Sequence, residues 1–438
     1  MSLHAQAPTP ATPVAQVEST DPTGIGVWFL DNLTQPAATV LASVGIIVAA
    51  VITFVIGYLS RRQLDRHHKA THTLADIQEL RRRFVTTTAQ FADPSPEVRL
   101  AGVYALEALT NDWIDRNRST DAQTCINYFC GYLTRPYVPP THDPHLRQTV
   151  VTVDAATTVE RTYQHPHDDL TVREAITRTI ATHLKPDRHH NWSNYNYDFT
   201  GANFHNADFN DARFYGTTTL DKAQFHGDAL FSRAQFHGEA TFDEAQFHGD
   251  RTSFSKAQFH GDRTSFGKAQ FHGDALFGEA QFHGDALFGE AQFHGMWTSF
   301  GEAQFHGDWT SFGEAQFHGA WTSFGKAQFH GEASFSEAQF HNAWTAFDEA
   351  QFHGASTSFR KTQFHSTETS FGKAQFHGAW TSFGKAQFRS TKTLFNSPGA
   401  WNNVYFDWDT EVPYAAEGTK PDNVKPHDWP PTVVEPTP

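Results

Sequence analysis

Histidine is the residue whose type and spacing in this chain could carry chemistry. Every copy of the tripeptide Gln-Phe-His between residues 226 and 377 supplies one histidine, 14 in all. If two copies complete one coil of a repeating structure, alternate histidines stack about 5 Å apart in two rows on opposite edges. The other seven histidines form the second row, and the first row contains His226, His248, His272, His294, His318, His341 and His365.

Stacked imidazoles suggest two kinds of chemistry. Neighbouring rings could bind one metal ion between them, which makes the first row the candidate metal-binding set. A row of like groups could also couple its titration near neutral pH, because protonating one ring opposes protonation of the next. The alternative is that a tolerated corner residue was copied with the repeat and carries no function. All three interpretations stay open, and no cofactor is predicted.

Tryptophan forms another candidate row. Trp297, Trp321 and Trp344 follow alternate copies of the Phe-His unit, so we expect them to stack along one edge, with Trp309 and Trp380 on the other. Exposed aromatic rows can dock a protein partner or lipid headgroups. The first three tryptophans are therefore the partner-docking candidates, unless each ring folds back over its own corner.

Catalytic motifs are not found in the sequence. It lacks a phosphate-binding glycine loop, a nucleophile elbow and a zinc-protease helix motif. The net charge is −15, and the two cysteines, Cys125 and Cys130, are expected to be buried thiols on a helix. We therefore expect a protein without enzymatic activity.

Phenylalanine spacing defines the elements that must position these rows. Phe199, Phe204, Phe209 and Phe214 lie five residues apart, and later steps alternate five with six or seven. The series runs to Phe395 through 35 positions, all Phe except one Leu. A period of five fits neither a helix nor a flat strand, whereas three extended residues and a two-residue corner fit it. The series therefore predicts a β-solenoid with these residues inside.

The Ala-x-Phe pattern, clearest in Ala202-Asn203-Phe204 and Ala207-Asp208-Phe209, resembles the pentapeptide-repeat family. The resemblance implies a mainly β solenoid, a right-handed quadrilateral β-helix of about nine coils, over residues 194–400. The sequence departs from the family pattern where one or two residues follow each Phe-His-Gly. We interpret these sites as bulged corners in which glycine supplies a positive φ. The repeated threonines are expected to point inward, and the outward glutamines to form hydrogen-bonded ladders.

The same resemblance implies an alternative function, in which the solenoid mimics DNA and inhibits or protects a topoisomerase. Residues 199–395 hold 21 Asp and Glu against 14 Lys and Arg. Duplex DNA carries one charge per ~1.7 Å, so this surplus is too small for a close mimic. Nucleic acid is therefore not expected as a partner.

An apolar segment precedes the repeats. Residues 1–33 are predicted to be a disordered tail and residues 34–60 a transmembrane helix. The uncharged run from Ala37 to Leu59 spans about 34 Å at ~1.5 Å per residue. Basic residues after the run predict an outside N-terminus and a cytoplasmic repeat domain. The resemblance to membrane-bound bacterial pentapeptide-repeat proteins implies a single-pass protein of the bacterial inner membrane.

Small residues recur every four positions within this span. Such stripes allow close helix packing in lipid, so a homodimer is possible through Gly45, Ala49, Thr53 and Gly57.

The remaining regions are predicted to flank and close the solenoid. Residues 61–190 are predicted to be helical, with a capping box at Thr171-Val172-Arg173-Glu174 starting the last helix. Residues 401–438 are predicted to be a cap, in which Trp401 and Trp408 cover the last coil, followed by a disordered tail. The leading interpretation is a membrane-anchored cytoplasmic interaction scaffold with an unknown protein partner.

Overall fold

The computed structural model describes residues 35–137, 148–149, 163–164, 169–409 and 418–434. The predicted disordered tail of residues 1–33 lies outside the described residues. The chain divides into two units, Met1–Glu79 and Leu80–Pro438.

The first unit contains most of a long helix, α1, which begins at Gln35 and ends at Gln90. Its segment Ala42–Gln63 is 22 residues long and apolar enough to cross a membrane, and none of it is buried by other parts of the protein. It overlaps the predicted span from Ala37 to Leu59. Leucine, isoleucine, valine and phenylalanine side chains cover its exposed surface. The helix therefore has the length and composition of a membrane-spanning segment.

Three further helices open the second unit, namely α2 (Pro96–Asp115), α3 (Ser119–Leu133) and α4 (Asp169–His183). A short antiparallel pair of strands, β1 (Gln148–Thr149) and β2 (Tyr163–Gln164), lies between α3 and α4 in the chain. Helix α2 begins as its sequence indicates, because the side chain of Ser95 accepts a hydrogen bond from the backbone of Val98 and proline occupies the first turn.

The predicted capping box at Thr171 is wrong, because α4 already includes Asp169. The buried carboxylate of Asp169 accepts a hydrogen bond from Arg173 at 2.6 Å and another from the hydroxyl of Tyr132. The guanidinium of Arg173 also donates to the carbonyl of Leu133 at 2.8 Å. A buried ion pair within α4, hydrogen-bonded to the neighbouring helix α3, therefore accompanies the first turn of α4.

Helices α3 and α4 close the first end of the solenoid. Gln123 of α3 exchanges two hydrogen bonds with the backbone of Asn196, at 2.8 and 3.0 Å. The backbone N–H of Arg213, in the first coil, donates to the carbonyl of Leu184 at 2.9 Å. These contacts satisfy backbone groups that an uncovered strand edge would leave unpaired.

The solenoid has four faces, each a parallel sheet of nine or ten strands. The chain visits faces 1, 2, 3 and 4 in turn. Face 1 consists of Tyr197–Asp198, Thr218–Thr219, Ala240–Thr241, Arg263–Ser265, Asp285–Leu287, Trp309–Ser311, Glu332–Ser334, Ser356–Ser358, Trp380–Ser382 and Val404–Tyr405. Face 2 consists of Asn203–Phe204, Gln224–Phe225, Gln246–Phe247, Gln270–Phe271, Gln292–Phe293, Gln316–Phe317, Gln339–Phe340, Gln363–Phe364 and Gln387–Phe388.

Faces 3 and 4 are built in the same way as faces 1 and 2. Face 3 consists of Ala207–Asp208, Ala229–Leu230, Arg251–Ser253, Asp274–Leu276, Trp297–Ser299, Trp321–Ser323, Trp344–Ala346, Glu368–Ser370, Lys392–Leu394 and Val424–Lys425. Face 4 consists of Arg213–Phe214, Gln235–Phe236, Gln258–Phe259, Gln281–Phe282, Gln304–Phe305, Gln328–Phe329, Gln351–Phe352, Gln375–Phe376 and Ala400–Trp401. The predicted β-solenoid of about nine coils is thus confirmed.

The core of the solenoid is a set of stacked phenylalanine columns. Strand register places Phe225 beside Phe247 and Phe247 beside Phe271, so one coil takes 22 to 24 residues. All 35 central positions from Phe199 to Phe395 are buried. Thr252 and Thr264 are also buried, as predicted. Each fully buried phenylalanine stabilises the fold by roughly 1.5–3 kcal/mol, so the columns dominate the stability of the solenoid.

The prediction for the corner glycines is wrong. The positive φ lies instead at charged residues of the other corners, such as Glu302 (59°) and Lys326 (57°). A Cβ on the bulged-corner residue Gly295 would lie 2.1 Å from the carbonyl oxygen of Gly273, one coil earlier. Glycine is therefore required there because successive coils approach closely, not because of a left-handed backbone.

Aromatic residues close the far end of the solenoid. Trp401 stacks on Phe406 at 6.2 Å, and Phe406 stacks on Trp408 at 4.6 Å. Trp429 packs edge-on against Phe406 at 5.0 Å. Residues 418–434 depart from the expected disordered tail, because Val424–Lys425 adds a strand to face 3. This strand pairs with an edge that would otherwise be open.

Candidate functional site

The two histidine rows have the geometry that the repeat predicts. In the first row, between faces 2 and 3, neighbouring ring centroids lie 4.8 to 5.6 Å apart from His226 to His365. In the second row, between faces 4 and 1, the spacing is 4.6 to 5.4 Å from His237 to His377. Neighbouring rings are nearly parallel, for example 5° between His294 and His318. The rows therefore follow the strand spacing along both edges.

Glutamine side chains hold the later rings of both rows. The Nε2 atom of His318 lies 3.2 Å from the Oε1 atom of Gln316, and the same contact recurs at six other row histidines. Because the amide oxygen only accepts, the imidazole N–H donates. Because these glutamines pair with histidine, the predicted glutamine ladder is short. Side-chain amides bond to one another from Gln235 to Gln258 and from Gln258 to Gln281.

Partial burial lowers the pKa of several row histidines. Desolvation is the first cause for His294, His306 and His318, and the charge of a neighbouring histidine lowers the pKa further. The pKa of His226, which is half-buried at the start of its row, falls to about 4. Partial burial, followed by the charge of neighbouring histidines, thus favours the neutral imidazole in the folded protein.

The row histidines do not bring three ligand atoms together. Within the part of the chain that the structure describes, the side chains whose donor atoms converge are Asp115, His189 and His190, in the helical region. In seven row residues the Nε2 atom is engaged with glutamine. Stacking alone therefore gives the rows no formed metal site.

Three tryptophans form a ladder on face 3, as the sequence predicts. The ring centroids of Trp297 and Trp321 lie 5.9 Å apart, and those of Trp321 and Trp344 lie 5.3 Å apart. Trp297 is 53 % exposed and Trp321 is 40 % exposed, so the rings do not fold away from solvent. Because single exposed apolar residues are common but contiguous ones are not, this tryptophan ladder is a candidate docking surface.

Acidic side chains line a hollow of about 580 Å³ beside the tryptophan ladder. Trp321 and Trp344 form its aromatic lining, and its charged lining is Glu279, Glu302, Lys326, Asp348 and Glu349. These acidic residues were not among the predicted site residues. Each glutamate lies two residues after a core phenylalanine, and this fixed place is the signal that could have indicated a row.

The glutamates of this hollow pair with lysines of adjacent coils. Glu279 lies 3.4 Å from Lys256, and Glu302 lies 3.9 Å from Lys326. All four side chains are more than half exposed, so each pair contributes little to stability. Such carboxylates can exchange partners with a cation of another molecule.

The tryptophans of face 1 are isolated from one another. Trp309 pairs in register with Glu332, and Trp380 pairs with Ser356. Trp309 is 40 % exposed, like Trp321, but it has no tryptophan beside it. Face 1 therefore provides an internal reference for the ladder of face 3.

The cysteines lie where the sequence predicts. Cys125 and Cys130 are buried on α3 and carry free thiols. Burial raises the pKa of the Cys125 thiol to about 12 and raises that of Cys130 as well. Such thiols are poor nucleophiles at neutral pH.

The fold and these surfaces define a class of protein: a four-sided parallel β-solenoid whose distinctive side chains lie along its outer edges. Solenoids of this kind are generally structural or interaction folds. The family described as pentapeptide repeats (9 copies) matches residues 195–235, 220–270, 266–316 and 312–363. Residues 195–363 are therefore pentapeptide repeats. No curated protein and no solved structure matches it.

Proposed function

We propose that this protein is a non-enzymatic, membrane-anchored scaffold that docks a protein partner on its tryptophan ladder. The observation that carries the proposal is the stack of Trp297, Trp321 and Trp344 on face 3, in which Trp297 and Trp321 are exposed and Trp344 is partly buried. Exposed stacked tryptophans offer a large, rigid contact area with a low cost in side-chain entropy. Aromatic residues of this kind dominate the energy of many interfaces.

The partner is a protein segment that presents arginine or lysine side chains. Four carboxylates and one ammonium group line the hollow beside Trp321 and Trp344. A guanidinium group can stack on an indole ring and pair with a carboxylate at the same time. The net charge of −15 supports the same complementarity.

The anchor is the segment Ala42–Gln63, in a bacterial inner membrane. Arg61, Arg62 and Arg66 follow the apolar residues, which supports an outside N-terminus and a cytoplasmic solenoid. Gly45 and Gly57 have no neighbouring atom within 4 Å of an added Cβ, so a second copy could approach this stripe. A reporter fused after Pro438 should be active in the cytoplasm, and periplasmic activity would reverse the proposed orientation.

In-cell crosslinking tests the docking surface. A photoreactive residue introduced at Ser323, which lines the same hollow, should capture a basic protein partner in the native cell. Replacing Trp297, Trp321 and Trp344 with alanine should abolish this product. The matched control replaces Trp309 and Trp380 of face 1 and should leave the product unchanged. Equal crosslinking by both variants would contradict docking at the ladder.

A pH-responsive solenoid is the second candidate function, favoured by the stacked histidines whose pKa is lowered. Acidification would charge both edges and change which partners bind. We do not propose DNA mimicry, because carboxylates along the corners pair with lysines, as Glu337 does with Lys361 at 2.8 Å. Metal binding by the rows is also not proposed, since their ligand atoms do not converge.

A further inference from the structure

Three side chains that can bind a metal ion meet at the edge of the helical region. Asp115 is the last residue of α2, whereas His189 and His190 lie between α4 and the first coil. The Nε2 atom of His190 lies 3.1 Å from Oδ1 of Asp115 and 3.3 Å from Nδ1 of His189. All three donor atoms lie within 4.8 Å of one another.

These separations fit a tetrahedral ion. Zinc binds imidazole nitrogen and carboxylate oxygen at about 2.0–2.2 Å, so two of its ligand atoms lie about 3.3–3.5 Å apart at the tetrahedral angle. The two short contacts of His190, at 3.1 and 3.3 Å, are close to that separation. A bound ion would require only small side-chain movements.

A single two-centre hydrogen bond cannot satisfy both contacts at once. The Nε2 atom of a neutral imidazole carries either one hydrogen or one lone pair. If His190 donates to Asp115, it has no lone pair to accept from His189. If His190 instead accepts from His189, the Nε2 lone pair of His190 faces the carboxylate oxygen of Asp115, and no proton lies between these two atoms. A cation can bind both imidazole lone pairs and the carboxylate, so it satisfies all three groups.

The surroundings of Asp115 favour a cation as well. Its carboxylate lies at the C-terminal end of α2, where the helix dipole disfavours negative charge. The adjacent Arg116 is directed elsewhere, because its Nη1 atom donates to the backbone oxygen of Asp112 at 2.9 Å. Asp115 therefore receives no compensation from this arginine.

The segment that carries the histidines is held in place. Nδ1 of His183, in α4, donates to the backbone oxygen of His190 at 2.6 Å. The His183 ring stacks on Trp192 at 4.1 Å, and its Nε2 atom lies 2.8 Å from Oε1 of Glu107 in α2. Such support fixes ligand positions before an ion binds.

We propose that Asp115, His189 and His190 bind one divalent transition-metal ion of the zinc class, with water completing its coordination. The ion ties the end of α2 to the segment that leads into the first coil. This site is independent of the docking proposed for the tryptophan ladder.

Zinc titration of the full-length chain in detergent, after chelator treatment, tests the site. We expect one ion per chain to bind at least tenfold more tightly than any further ions. Asp115→Asn and His190→Gln should each weaken this site at least tenfold, since each removes a ligand. The control replaces His306 and His318 of the rows with glutamine and should leave the tight site unchanged.

Two further measurements separate binding from folding. Without metal, each variant should have the circular dichroism spectrum and melting temperature of the wild type. Zinc should raise the melting temperature of the wild type and of the row control, but not that of the site variants. Cobalt should give the visible absorption of a four-coordinate site in the wild type and the row control, but not in the site variants. A tight site that persists in both Asp115→Asn and His190→Gln, or no tight site in the wild type, would overturn the proposal.

Discussion

The interior columns and the outer histidine rows of the solenoid are made by adjacent residues of one repeat. Phe305 stacks on Phe282 at 5.0 Å and on Phe329 at 4.8 Å, while His306 stacks on His283 and His330 at 5.3 and 4.7 Å. The ring spacing is similar in the column and in the row because the distance between neighbouring strands sets both. The environments differ, since Phe305 is fully buried and His306 is exposed. Regular stacking therefore does not by itself indicate a stabilising contact, and burial decides its energy.

The largest expected effect tests the interior side of this comparison. Phe305→Ala should lower the free energy of unfolding by about 3–5 kcal/mol, because it removes a fully buried ring from a column. His306→Ala should change it by no more than about 0.5 kcal/mol, because the imidazole lies in solvent. Chemical denaturation of the two variants measures both values. Similar losses at the two positions would mean that row stacking stabilises the fold as much as burial does.

The second largest expected effect comes from replacing a glycine at a corner where successive coils approach closely. Gly295→Ala should destabilise the solenoid by about 1–3 kcal/mol, because its Cβ would lie 2.1 Å from a backbone oxygen that cannot move independently. The matched control is Gly289→Ala at another corner, where the nearest atom to the added Cβ lies 3.8 Å away. The control should be neutral or stabilising by up to about 1 kcal/mol, because alanine restricts the unfolded chain.

Denaturation curves of these two variants distinguish two reasons for glycine at the corners: close contact between successive coils, and the conformational freedom of the glycine backbone. Equal destabilisation by both substitutions would show that backbone conformation, not contact between coils, explains the glycines.

Much of the solenoid could be predicted because its determinants recur along the sequence. The position of Phe305 and the stacking of Trp321 both follow from counting residues per coil. The role of Gly295 could not be predicted in this way, since its close contact comes from a residue 22 positions earlier and depends on how coils are offset. A single sequence indicates that glycine recurs, but not which physical requirement selects it.

The unpredicted features join segments that share no period. At the start of α4, Asp169 accepts a hydrogen bond from Tyr132 of α3, and Arg173 donates to the carbonyl of Leu133 across an intervening stretch of chain. The cluster of Asp115 and His190 brings together residues 75 positions apart. Such combinations are fixed by packing, so local patterns do not reveal them.

The smallest expected effect concerns pH and tests the outer side of the comparison. Desolvation, followed by the charge of neighbouring histidines, lowers the pKa of His294 and His318 in the folded protein. The unfolded chain then binds more protons between the folded pKa and the ordinary value of ~6.5. The free energy of unfolding should therefore be constant above about pH 7 and decrease as the pH falls below ~6.5. Replacing both residues with glutamine should make this decrease shallower. Urea denaturation between about pH 5 and 7.5 measures how steeply the free energy of unfolding changes with pH. This slope reports the difference in bound protons between the unfolded and folded states. If the wild type and the double variant gave the same slope, the row histidines would titrate as independent solvated groups, and stacking on the outer edge would have no energetic consequence.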